Sequence, residues 1–142
     1  MKAFALGVIV VLLGGQVLAA DNRQLAPLPP AAQEALREEM LGNLLAINEV
    51  LTLMAAGKLK EAGEVAEKSL GQSAMGKHRG KPIDARPGAH MPQDMHQIGI
   101  DGHRAASEFA RAAAGGDREQ ALALLPGLTG ACVACHYSWR TR

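Results

Sequence analysis

The chain has 142 residues, 15 Lys and Arg against 14 Asp and Glu, and two cysteines. That length supports one domain with one core. Without a basic surplus the composition speaks against nucleic-acid binding.

Residues 1–20 begin with Lys2 and an apolar run from Ala3 to Leu13, then read Gly14-Gly15-Gln16-Val17-Leu18-Ala19-Ala20. A positive start, a short apolar core and small residues before a polar stretch predict a signal peptide, cleaved after Ala19 or Ala20. The uncharged stretch Ala3–Ala20 reaches the length at which an uncleaved membrane anchor competes. Its glycines and its Ala19-Ala20 end favour cleavage, and hence export to the periplasm with no stable membrane insertion afterwards. With Lys2 removed, fourteen basic residues balance fourteen acidic ones in the mature chain.

Residues 21–30 contain three prolines in four positions, Pro27, Pro29 and Pro30, and are expected to be an extended lead-in. The domain proper is expected over 31–142. From Ala31 to about Ala56, Leu36, Met40, Leu44, Ile47, Leu51 and Met54 recur at steps of three and four, one face of an amphipathic helix. Leu41, Leu45 and Val50 widen that face, Glu34, Glu38, Glu39 and Glu49 lie off it, and Gly57 supplies a stop. A second helix is predicted from Lys58 to Leu70, with Leu59, Ala62, Ala66 and Leu70 inward. The single Gly57 link predicts that it runs antiparallel to the first.

Gly71 to Met91 has no period and carries a basic cluster of Lys77, His78, Arg79, Lys81 and Arg86. It reads as a solvated crossover loop, with docking of an acidic redox partner as the competing use. A third helix is predicted from Pro92 to Ala114, with Met95, Ile98, Gly102, Ala105, Ala106, Phe109 and Ala113 inward. Gly99 and Gly102 are costly inside a helix; close approach of a flat group or tight helix packing would compensate. Asp117 is placed to cap a fourth helix, in which Pro126 should produce a kink or a split.

The apolar stripe of that last helix runs through Ala121, Leu124, Leu125 and Leu128 into Cys132, Cys135, His136 and Trp139. Cys132-Val133-Ala134-Cys135-His136 is the attachment signature for c-type haem. In that chemistry both thiols form thioethers with haem vinyl groups, and the imidazole becomes the proximal iron ligand. A disulfide across so short a loop would add little stability. A thioredoxin-like redox pair expects a βαβ setting, and the mature chain has no β-strand pattern. Zinc would need two further ligands at finger-like spacing, which no histidine supplies. Cys132 and His136 are four apart and share a helix face, so the haem is expected against the bundle interior.

Four helices with the haem motif in the last resemble the class II c-type cytochromes, the cytochrome c-prime group, over about residues 31–142. The resemblance rests on the Cys132–His136 run, on Arg37-Glu38-Glu39-Met40-Leu41-Gly42-Asn43 in the first helix and on Gly116-Asp117. It implies an all-α, antiparallel four-helix bundle with one covalently attached haem c. It also implies a first-helix residue on the distal side of the iron and Arg37 near a haem propionate. The family usually places the distal residue four positions after that arginine. Met40 is three after Arg37 and Leu41 four after, so both stand as distal candidates.

Methionine in an apolar stripe is a good core filler, and it is also a known axial ligand that raises the iron potential. Met91, Met95, His78, His90, His96 and His103 are weaker distal candidates. Ligation by His136 and Met40 suits single-electron transfer with redox partner proteins. An open or Leu41-facing site suits reversible binding of NO or CO. A haem redox enzyme would need a distal acid–base residue, available only from His96 or His103, so the chain is read as non-enzymatic. Class II relatives often form homodimers, and Leu41, Leu45 and Leu53 are candidates for such a contact.

Overall fold

A computed structural model describes residues 20–142. The expected leader therefore lies, Ala20 apart, outside the described residues. Four helices form where the periodicity places them: α1 Pro30–Ala55, α2 Leu59–Leu70, α3 Gln93–Ala114 and α4 Arg118–Ser138. Two-residue strands β1 (Gln24–Leu25) and β2 (Trp139–Arg140) flank them.

The helix ends follow from local chemistry. Pro30 begins α1, where a missing N–H costs nothing. At the other end Gly57 takes a positive φ of 74°. Its N–H then bonds the Met54 carbonyl at 3.1 Å while Lys58 N–H bonds Leu53 at 2.8 Å, a Schellman closure that only glycine reaches without strain. Gly116, with φ 78°, repeats the device after α3, Gly116 N–H bonding Ala113 at 3.1 Å and Asp117 N–H bonding Ala112 at 3.2 Å. Asp117 then opens α4 by accepting from Gln120 N–H at 2.9 Å. Pro126 neither stops nor splits α4, which runs through it unbroken.

The helices pack in chain order, α1 on α2, α2 on α3 and α3 on α4, whereas the backbones of α1 and α4 come close at hardly any position. One core, centred on Phe109, gathers Val50 and Met54 of α1, Ala62 and Ala66 of α2, and Ala121 and Leu128 of α4. Alanine is the commonest residue there because it lets helix backbones approach closely. Gly63 and Gly102 take this further: a Cβ on Gly63 would meet Ala113 Cβ at 2.9 Å, and one on Gly102 would meet Ala131 Cβ at 2.8 Å. Gly102 is thus accounted for by α3–α4 packing, while Gly99 faces open space. Gly102→Ala should destabilise by about 1–3 kcal/mol through overpacking. Gly99→Ala should stabilise by about 0.5–1 kcal/mol through backbone entropy. Urea unfolding midpoints of the two variants check both signs.

A second core lies nearer the chain ends and holds Ala26, Leu28, Ala32, Leu36, Met95 and Trp139, with Met40, Met91 and Cys135 packed against it. It forms because β1 and β2 pair in parallel, Gln24 with Trp139 and Leu25 with Arg140. Period-two alternation needs several residues to show, and two-residue strands leave no such trace.

The 71–91 segment is folded rather than simply solvated, with 3₁₀ turns at Gln72–Ala74, Ile83–Ala85 and Pro87–Ala89. Three of the five residues of its basic cluster turn back onto α1. Lys77 pairs with Glu39 at 3.2 Å, His78 Nε2 donates to Glu39 at 2.9 Å and Lys81 approaches Glu38 at 3.6 Å. Glu39, off the apolar stripe in sequence, is only 14% exposed as a result. Lys77, His78 and Lys81 are thus engaged within the molecule, and Arg79 stays exposed. The junction between α2 and this segment is closed from α3. His103 Nδ1 donates to the carbonyls of Leu70 and Gly71 at 2.7 and 3.1 Å, and the buried Ser107 hydroxyl donates to Glu67 at 2.5 Å. Hydrogen bonds to Glu67 from the Ser107 hydroxyl first, and then from the Ser73 hydroxyl and N–H, hold its carboxyl below the ordinary range.

Candidate functional site

The site is built on the last two turns of α4, at the edge that α1 leaves open. Cys132 lies four residues beyond the buried Leu128 and on the same helical face, yet it is exposed. His136, one turn further, is exposed too, and its ring makes no hydrogen bond among the described residues. Cys135 is half-buried and packs against the second core beside Trp139. The expectation that the whole Cys/His face would be turned into the bundle holds for Cys135 only. Cys132 and His136 remain exposed even though α3 packs on α4 close by, where Gly102 lies against Ala131.

The two thiols are not joined to each other. Burial, with the neighbouring Cys132 thiol adding to it, pushes the Cys135 thiol above its ordinary range. Among the described residues no cluster of three His, Cys, Asp or Glu side chains is placed to hold a bare metal ion.

Met40 reaches the same core as Cys135, from α1. Leu36 precedes it by one turn and is 7% exposed, so the α1 line that begins in the core emerges at Met40. Beyond it Leu44 and Leu51 continue the line at steps of four and seven and are 66% and 47% exposed. Leu41, the other distal candidate, is 66% exposed and packs against neither core. Arg37 lies one turn before Met40, bonded to Glu34 at 3.0 Å and Gln33 at 3.3 Å. Glu34 is 76% exposed, and such a surface pair holds the arginine weakly, leaving its guanidinium free to exchange partners.

The other candidates have other work. His78 bonds Glu39, His90 Nε2 donates to the Ile83 carbonyl at 2.9 Å, and His103 closes the end of α2. His96 is exposed. Met95, 4% exposed, and Met91 stand in or against the second core with Met40. Sequence periodicity put Met95 on the inner face of α3 but had no signal that Met91, Met95 and Met40 would share one cluster.

The donor set suits a covalently held haem. Two unjoined thiols and an imidazole follow one another on the last turns of α4, and one of the thiols, Cys135, packs against the apolar core that the Met40 thioether also meets. α4 is also, by length and composition, apolar enough to cross a membrane, with only 11% of its apolar window buried. That low burial reflects the same uncovered edge of the helix. No family model matches the chain, and neither the curated proteins nor the solved structures offer a significant match.

Proposed function

We propose that the protein is an exported c-type cytochrome, an antiparallel four-helix bundle that carries single electrons in the periplasm. The reading rests on one juxtaposition: Cys135 of the Cys-x-x-Cys-His run and Met40 of α1 pack against the same apolar core. Cys132 and Cys135 would tether the haem through thioethers, His136 would be its proximal ligand and Met40 its distal one. Arg37 would neutralise a propionate, by exchanging its weak surface pair with Glu34 for a charge-assisted bond. Bound haem c supplies a ferric–ferrous couple that gains and loses one electron with no other bond made or broken.

The residues around it set how readily that happens. Trp139, Leu36 and Met95, buried in the core that Met40 and Cys135 meet, would exclude water from a haem held there, which would raise the free energy of the ferric charge and favour the reduced state. Thioether ligation by Met40 acts in the same direction. The apolar neighbourhood of Met40, against the exposure of Leu41, favours the methionine over an open distal site.

Met40→Ala tests the reading. The wild-type ferric protein, matured with haem, should be low-spin and show the far-red charge-transfer band of methionine ligation. The variant should become high-spin, lose that band and gain affinity for CO. A high-spin wild-type spectrum would overturn the carrier reading in favour of a gas-binding haem protein.

A further inference from the structure

Residues 21–28 lie along the end of α4 and the residues that follow it. Besides the pairing of β1 with β2, Ala26 N–H donates to the Arg140 carbonyl at 2.8 Å, and Arg140 Nε donates back to the Arg23 carbonyl at 3.2 Å. Arg23 Nη1 donates to the carbonyl of His136 at 3.3 Å. That carbonyl belongs to the last turn of α4, where the helix itself supplies no donor. A guanidinium there also carries the charge favoured at a helix C-terminus. Arg23 is in turn held by Asp21, at 2.7 and 2.9 Å.

Beneath this polar clasp is an apolar anchor. Ala26, Leu28 and Trp139 are 2%, 5% and 7% exposed, and they pack with Ala32 and Leu36 of α1. The lead-in therefore fastens the His136 end of α4 to the helix that bears Met40. It does so where the two helix backbones have little direct contact of their own. Without it, the Cys132–His136 turns would have α3 as their only helical neighbour.

We propose that residues 21–28 are a strap that positions His136, with Arg23 as the positioning residue acting on its backbone carbonyl. The strap itself follows from the fold alone. Its consequence for an iron ligand rests on the haem reading. The contact is made on the backbone, so it orients the turn that carries the imidazole rather than touching the ring.

The test uses full-length mature protein produced with haem-attachment machinery, as wild type, Arg23→Ala and Arg23→Lys. Amide hydrogen exchange should be about tenfold faster at residues 136–140 in Arg23→Ala, the effect of one lost charge-assisted bond on local opening. Arg23→Lys should restore most of the protection. The pH at which His136 ligation is lost on acidification, followed by the optical spectrum, should move upward in Arg23→Ala and back in Arg23→Lys. Unchanged exchange in Arg23→Ala would overturn the strap. Faster exchange with an unchanged release pH would overturn the positioning role and leave a purely structural clasp. If the wild type takes up no haem, the haem reading fails and with it the positioning of a ligand, while the exchange arm still decides the strap.

Discussion

Replacing Cys132 and Cys135 together by serine should remove all covalently attached haem, read as loss of haem stain on a denaturing gel. A thioether is the only bond of this site that survives denaturation; axial bonds from His136 and Met40 do not. Serine keeps the size and polarity of each side chain but cannot form the link. The single variants should differ. Cys135→Ser leaves the exposed Cys132 able to react, whereas Cys132→Ser leaves a thiol half-buried against the core that holds Trp139. Attached haem should therefore fall further in Cys132→Ser than in Cys135→Ser. Stain persisting in the double variant, or missing from the wild type, would remove the basis for the proposed function.

Phe109→Ala should be the most damaging single change to the fold itself. Phe109 is fully buried in the C-terminal half of α3, and the core around it draws on all four helices. Truncation removes a large apolar side chain and leaves a cavity bounded mostly by alanines, which cannot lean in to fill it. Losses of about 3–5 kcal/mol are usual for such a change, a large share of the roughly 5–15 kcal/mol that stabilises a domain. The urea midpoint should drop by that loss divided by the slope, which should itself stay unchanged. A loss below about 1 kcal/mol would mean that the helices close over the gap, contrary to the packing described.

Much of this protein is legible in its sequence because much of it is decided locally. Gly57 and Gly116 end helices through bonds within one turn, and Asp117 starts one the same way. The helices therefore fall within one or two residues of where periodicity and caps put them. The Cys132–His136 motif is equally local, since attachment to one porphyrin demands thiols and imidazole at a set spacing along one helix. Met40 was legible as an apolar position of α1, but its neighbours were not.

What only the tertiary structure decided involves residues far apart in the chain. Arg23 meets the carbonyl of His136 across 113 positions, and Ser107 reaches Glu67 across 40. Lys77, His78 and Lys81 look solvated in sequence and instead pair with Glu38 and Glu39 of α1. Most telling is Cys132, which lies on the buried stripe of α4 and is nonetheless exposed. A helical stripe records which side chains are apolar, but whether a stripe is covered depends on how far the neighbouring backbone stands from it. Here the backbones of α1 and α4 come close at hardly any position, and Cys132 and His136 stay exposed, an outcome that no local signal encodes.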